Sequence, residues 1–430
     1  MTAHASPEDL VELARVSCRY FADQVSPVNG LVADTSLRGS DASIAAVGFA
    51  LSAYCVAVER GFLSRQRALA QALAALRFFH RGAQGEGPDA IGHHGFYYHF
   101  LDMKSGRRAG RCEVSTMDTA ILLAGALTAA TYFDADRAEE RELRELAEAL
   151  YRRADWRWAT AGTDAVALGW RPETGFLPFQ WRGYDEALIL YLLGLGSPTH
   201  PLPPASYAAW TAGFRWKKIY GRELVYAGPL FVHQFSQVWL DLAGLQDEVM
   251  RGRGIDYFEN SRRATEIQQE YAIRNPRRFA RYGERCWGIT ASDGPGPSVR
   301  QAGGVERRFY AYRARGAPFG PDDGTVAPWA VIASLPFAPE VVLPTIRSLH
   351  ETFAGARSRY GFLCSFNPTY PARGKAGWVS PTHFGLNQGP IVLMIENYLS
   401  GLVWKLARRC PFLVAGLGRA GFRGGWLPSW

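Results

Sequence analysis

The 430-residue sequence predicts an all-α fold, a toroid of paired helices, from three observations. Apolar residues recur with helical spacing in about a dozen segments. Strand-like alternation is sparse. Gly- and Pro-rich stretches at 82–112, 155–183, 214–230, 282–303, 314–325 and 364–387 punctuate the helices without dividing the chain. These stretches hold most of the Trp, His and Asp residues, so loops gathered at one end of antiparallel helix pairs are expected to carry function.

Helices are predicted near 8–24, 43–61, 64–81, 115–133, 137–154, 184–195, 231–243, 256–274, 326–335, 338–354 and 388–408, with shorter candidates near 204–213 and 304–314. Ser6-Pro7 precedes the first, Asp41 and Ser43 precede the second, and Asp134 and Asp136 flank the fifth, as capping chemistry requires. Small residues over 120–130 permit close helix–helix approach. The long apolar stretch after Pro390 is interrupted by Glu396 and Asn397, which makes it a buried helix with a polar stripe and not a membrane span.

A hydrophobic content of 47% is enough for a large core. The 13 Trp, 19 Tyr and 24 Phe fall largely in polar, Gly-rich stretches, which favours an aromatic-lined cleft. Net charge is +8, but the basic residues are scattered among 40 acids, a pattern that argues against nucleic-acid binding. Cys18, Cys55, Cys112, Cys286, Cys364 and Cys410 show no C-x-x-C or Cys/His metal spacing and read as unpaired small core residues, so neither a metal nor a cofactor is expected. The N-terminus lacks a basic region followed by an apolar one, so no secretory signal is visible and the cytoplasm is favoured over the periplasm.

The richest chemistry lies in Trp181-Arg-Gly-Tyr184-Asp185-Glu186-Ala, which runs straight into an apolar helical pattern. Two acids and two rings at the mouth of a buried helix suit a sugar site: pyranose faces stack on rings while carboxyl groups handle the glycosidic oxygen. The plainer reading is that the two acids cap the helix. Gly95-Phe-Tyr-Tyr-His99-Phe-Leu-Asp102 is followed by Glu113-Val-Ser-Thr-Met-Asp118, where Asp118 falls one turn inside an apolar helix and needs a partner, an arginine salt bridge being the structural alternative. Trp170, Trp287 and Trp329 lie beside acids in the same way as Trp181, near Glu173, Asp293 and Asp322-Asp323 respectively. His233 near a helix start reads as structural or cleft-lining, and Asp293 as an Asx-turn residue or a ligand to sugar.

Together with Gly196-Ser-Pro-Thr-His200-Pro and Asn387-Gln388-Gly-Pro-Ile-Val-Leu-Met-Ile-Glu396-Asn-Tyr, these motifs make the chain resemble the bacterial glucoamylase-like domain, which is similar to glycoside hydrolase family 144, the β-1,2-glucanases. The resemblance runs from about residue 15 to residue 410. It implies one (α/α)6-barrel domain spanning 1–430, a cleft across one end, and inverting attack on β-1,2-linked glucan. It matches Glu186 to an acid near the scissile sugar and Asp118 to a second acid in the same pocket. In one place the motif departs: Asp-Gln-Gly-Pro is expected, and this chain has Asn387-Gln388-Gly-Pro, whose amide accepts no proton from water at neutral pH.

The expected function is therefore inverting hydrolysis of a β-glucan oligo- or polysaccharide, with no membrane or nucleic-acid partner. Glu186 is the general acid, its aromatic shell and Asp185 raising its pKa, and Asp118 or Asp323 is the base or positions the sugar. His99, Asp102, Glu113, Trp170, Trp181, Tyr184, Asp185, His233, Trp287, Asp293, Trp329, Asn387 and Gln388 are the expected binding residues, at least two of the four tryptophans sharing one cleft. Transglycosylation and non-catalytic glycan binding are the alternatives that Asn387 keeps open.

Overall fold

A computed structural model describes residues 4–428; the first three residues of the N-terminal stretch and the last two of the chain lie outside the described residues. The all-α toroid expectation is corrected: 44% of the chain is helical and 15% is strand. The largest sheet is antiparallel and five-stranded, in the order β1 (Gly92–His93), β2 (Phe96–Tyr98), β3 (Val114–Ser115), β4 (Gly169–Arg171) and β5 (Gly175–Phe176). Two- and three-residue strands are too short to show an alternating pattern, which is why the sequence hides them. The 304–314 helix candidate is likewise corrected to a hairpin, Ser298–Ala302 paired with Val305–Phe309. Gly303 and Gly304 turn it at φ +63° and +76°, the left-handed pair that a two-residue hairpin loop needs.

Helices fall into two kinds. Ile44–Glu59, Thr116–Tyr132, Leu188–Gly196, Pro328–Ala333 and Gly385–Leu399 are buried almost all round. Pro7–Asp23, Arg65–Arg81, Ala138–Arg153 and Pro339–Thr352 bury one face only and keep charged residues on the other, as the sequence of each dictates. The buried helices touch in chain order: Ile44–Glu59 packs on Thr116–Tyr132, that on Leu188–Gly196, and that on the short turn Ser236–Val238. Gln234, in the preceding turn Phe231–Gln234, donates to Ala330 O and Ser334 Oγ, which brings in Pro328–Ala333. Gly385–Leu399 then closes the circle against Ile44–Glu59. The close approach needs small residues: a Cβ on Gly48 would stand 2.4 Å from Ile121 O, and one on Gly389 would stand 2.3 Å from the Phe49 ring.

Some helix boundaries differ from those expected. The predicted helix at 184–195 begins only at Leu188. The one at 388–408 is two helices, Gly385–Leu399 and Leu402–Arg409, separated at Gly401, whose φ of +70° ends the first. Pro390 therefore sits inside the second turn and not at a helix entry. Glu248–Arg253 and Pro411–Arg419 are additional helices. All six cysteines are unpaired, five of them buried. Within the described residues no helix is long and apolar enough to cross a membrane.

Candidate active site

At the end of the buried helices where their N-termini meet the five-stranded sheet lies a cavity of about 550 Å³, and its wall contains Asp34, His99, Glu113, Asp118, Trp181 and Glu186. Sheet pairing builds one side of it. Tyr97 and Tyr98 of β2 stand opposite Ser115 and Val114 of β3, so His99 and Glu113, the residues just beyond, face each other. His99 N donates to Glu113 O at 2.8 Å. Gly169 in β4 lets the next strand approach, because a Cβ there would meet Val114 O at 2.5 Å and Glu113 Cγ at 2.8 Å.

Asp118 sits in the first turn of Thr116–Tyr132, whose N-cap is Ser115. The Ser115 hydroxyl accepts from Asp118 N at 3.2 Å and donates to Asp118 Oδ2 at 2.5 Å. The partner Asp118 requires is not an arginine. His99 lies between two carboxylates, Nδ1 3.0 Å from Glu113 Oε1 and Nε2 3.5 Å from Asp118 Oδ2. Burial works against its positive charge, but Asp118, Glu113 and Asp34 outweigh that and raise its pKa to about 9, so the ring is an imidazolium at neutral pH. Its hydrogen bond in turn holds Glu113 down at about 2, with Arg171 3.5 Å away as a second cation.

Glu186 is held differently. Ser236 Oγ donates to Glu186 O at 2.7 Å and accepts from Ile189 N at 3.0 Å, clamping the entry to Leu188–Gly196. That helix has no side-chain cap, so Glu186 is not a capping residue. Burial, then the neighbouring Asp185 and the more distant Asp118, push its carboxyl up to about 8, leaving it protonated at neutral pH. Asp185 turns the other way, accepting from Trp210 Nε1 at 2.8 Å and Ala187 N at 3.1 Å, and burial raises it to about 6. Trp181 is fixed by its indole N–H on Thr116 Oγ1 at 3.0 Å.

Of the residues singled out in the sequence, Glu186, Asp118, His99, Glu113, Trp181, Trp329 and Asn387 line this cavity. Trp181 and Trp329 both border it, Trp329 almost wholly buried. The others lie elsewhere. Asp323 is a buried structural anion: Arg315 Nε and Nη2 reach its two oxygens at 2.8 and 2.9 Å, and Tyr310 N and Thr325 Oγ1 also donate to it. Asp102 closes an exposed turn by accepting from Ser105 N and Oγ. Trp170 stacks on His93 at 4.3 Å, and Trp287 is fully buried with its N–H on Thr345. Tyr184 packs among Phe214, His233 and Tyr257. His233 lies beside Ala227 O and Asn260, and burial drives its pKa down to about 4 against the opposing effect of the Ala227 hydrogen bond. Asp293 accepts from Gly294 N and Ser380 Oγ, and Gln388 contacts His383. Asn387 donates to Cys364 Sγ at 3.3 Å, and its own N–H, like that of Gln388, is spent on Phe384 O and does not point outward.

The cavity also holds residues the sequence reasoning missed: Asp34, Phe231, Phe235, Tyr312, Phe384 and Leu386. Asp34 lies between the first two helices, and burial raises its carboxyl to about 6, with His99 opposing and Asp118 and Asp41 adding to the rise. Tyr312, an exposed residue, leans its ring on Phe384 at 5.9 Å at the rim. The described residues form no group of three His, Cys, Asp or Glu side chains placed to hold a metal ion.

This arrangement has a neutral carboxylic acid facing ionised partners across an aromatic-lined cavity, a donor–acceptor set suited to proton transfer on a sugar. The chain is 27% identical over 95% of its length to an exo β-1,2-glucooligosaccharide sophorohydrolase (non-reducing end) of Parabacteroides distasonis, and spans 57% of that protein's length. It superposes on a glucoamylase-type crystal structure from Bacteroides uniformis with TM-score 0.87 and 31% identity, each chain 99% covered. On an endo-β-1,2-glucanase from Chitinophaga pinensis, solved with sophorotriose and glucose, the TM-score is 0.85 at 26% identity, covering 97% of this chain and 99% of that one. The glycoamylase family, described as “Putative glucoamylase”, matches residues 178–411, and the chain belongs to that family.

Proposed function

We propose that the protein is a glycoside hydrolase that cleaves β-1,2-linked glucan or glucooligosaccharides by an inverting mechanism, with Glu186 as general acid. The observation that carries this reading is a carboxyl kept protonated to about pH 8 in the wall of a cavity that Asp118 also lines. In such a mechanism the acid protonates the departing glycosidic oxygen while a carboxylate roughly 6.5–9.5 Å away activates water on the opposite face of the sugar. The His99 imidazolium lies between Glu113 and Asp118 and offsets part of their charge, and the half-buried Trp181 offers a ring face to a pyranose. The β-1,2 linkage is supported by what the Parabacteroides and Chitinophaga relatives are described as acting on.

A second reading, transfer of the glycosyl group to an acceptor sugar, is favoured by Asn387, a neutral amide in the cavity wall. A panel of linkage-defined glucans with product masses separates the two. Hydrolysis gives shorter chains and new reducing ends from the β-1,2 substrate, and transfer redistributes chain lengths with no rise in reducing ends. Inactivity on β-1,2-glucan together with turnover of another linkage would overturn the linkage assignment.

A further inference from the structure

We propose that Asp34 is the group that takes the proton from the attacking water, doing the work that Asn387 cannot. The assignment rests on the hydrolytic reading above and names its base.

Asp34 lines the same cavity as Glu186 but is delivered by a different part of the chain, the loop between Pro7–Asp23 and Ile44–Glu59. Its backbone is anchored on both sides: Asp34 N donates to Asp41 O at 2.8 Å, and Gly385 N donates to Asp34 O at 2.8 Å. The second bond ties Asp34 to the first residue of Gly385–Leu399, two residues from Asn387. Glu186 enters the cavity at the start of Leu188–Gly196, so Asp34 and Glu186 are carried to it by separate elements of the fold. Inversion requires acid and base on opposite faces of the sugar ring, which carboxyl groups borne by separate elements can supply.

Asp118 is less suited to the task. Its Oδ2 already takes the Ser115 hydroxyl and lies 3.5 Å from His99 Nε2, so that oxygen is engaged by protein groups and is not free for water. The described residues donate no hydrogen bond to the Asp34 carboxylate, which leaves its oxygens for water. The groups facing it are Tyr20 from the first helix, His99 beyond β2, Asp118 from the helix after β3, Asp41 from its own loop, and Tyr312 at the rim. Burial among these groups places its titration near 6, so it is ionised at neutral pH and more basic than an ordinary aspartate. In the step itself, water gives a proton to Asp34 as its oxygen bonds to the anomeric carbon. The bond from that carbon to the glycosidic oxygen breaks, and the leaving oxygen takes the proton of Glu186. Bulk water then deprotonates Asp34 and reprotonates Glu186.

Asp34→Ala tests the assignment on β-1,2-glucan beside wild type, with circular dichroism to verify folding. The expected result is a fall in kcat of roughly 10²–10⁴-fold with little change in KM. Added azide, which needs no base, is expected to restore turnover and yield the α-glycosyl azide. A folded Asp34→Ala with turnover within about threefold of wild type, or a loss that azide does not relieve, would overturn the assignment. Should the alanine variant fail to fold, the pH profile decides: the acid limb of kcat/KM near pH 6 must be present in wild type and must move in Asp34→Glu, and a flat wild-type profile between pH 5 and 7 overturns the proposal. An active wild type with an active Asp34→Ala strikes this assignment alone. A wild type inactive on every glucan strikes the hydrolytic reading and this assignment with it.

Discussion

Replacing Glu186 with Gln removes one transferable proton and one ionisation while leaving shape and hydrogen-bonding capacity nearly intact, so it separates chemistry from folding. Loss of the general acid should lower kcat by roughly 10²–10⁴-fold. Stability should move the other way. In the folded protein the Glu186 carboxyl keeps its proton to about pH 8, against an ordinary value of 4.5 in the unfolded chain. Between those values the folded state binds more protons than the unfolded one, so this group's contribution falls as pH rises from about 4.5 to about 8 and is flat on either side. The full interval corresponds to a ceiling of roughly 5 kcal/mol. Because the carboxyl borders a cavity open to water, on the order of 2–3 kcal/mol is expected. A glutamine does not ionise. Glu186→Gln should therefore gain stability relative to wild type by about that amount between pH 4 and pH 9, measured by urea unfolding at each pH. A stability difference that does not change with pH would refute the burial argument, and a folded Gln variant with near wild-type turnover would refute the acid assignment.

Further outcomes follow from other residues. Asp323→Asn breaks a buried pair with Arg315 and should cost roughly 3–5 kcal/mol of stability, read as a lower urea midpoint; an unchanged midpoint would show that Asp323 is not the structural anion described above. Asn387→Asp should leave reducing-end release unchanged or lower if Asp34 supplies the base, whereas a large gain would mean that the native amide suppresses water attack and would favour transfer. Sugar binding should perturb tryptophan fluorescence in wild type and in Trp287→Phe, and much less in Trp181→Phe; an equal response in both variants would remove Trp181 from the sugar-contacting wall. A basic limb of kcat near pH 8 should vanish in Glu186→Gln, because only the protonated carboxyl is active.

The long helices were legible because their apolar spacing and Ser or Asp caps are local signals, as at Ser6 and Ser43. The short strands were not, since none is long enough to alternate visibly and the pairings of β2 with β3 and of β3 with β4 join segments distant in sequence. Gly303-Gly304 was a readable hairpin signal that the helical spacing of 304–314 masked. In the site, Glu186, Asp118 and His99 stood out because acids and rings were adjacent in the chain. Asp34 carried no such signal: it follows an apolar triplet in a loop, and backbone hydrogen bonds with Asp41 and with the distant Gly385 hold it at the cavity. Asp323, Trp287 and Tyr184 looked equivalent to the true lining residues because the neighbourhood of an acid and a ring in sequence does not say which way either side chain turns. Arg315, whose guanidinium claims Asp323, is eight residues away and gave no warning.

The most direct test of the account is the stereochemistry of the first product released from β-1,2-glucan, followed by proton NMR before mutarotation. Water attack opposite the leaving oxygen, with Glu186 as acid and a separate carboxylate as base, predicts α-anomeric reducing ends at the earliest times. A first product in the β configuration, or glucan chains redistributed with no new reducing ends, would contradict it.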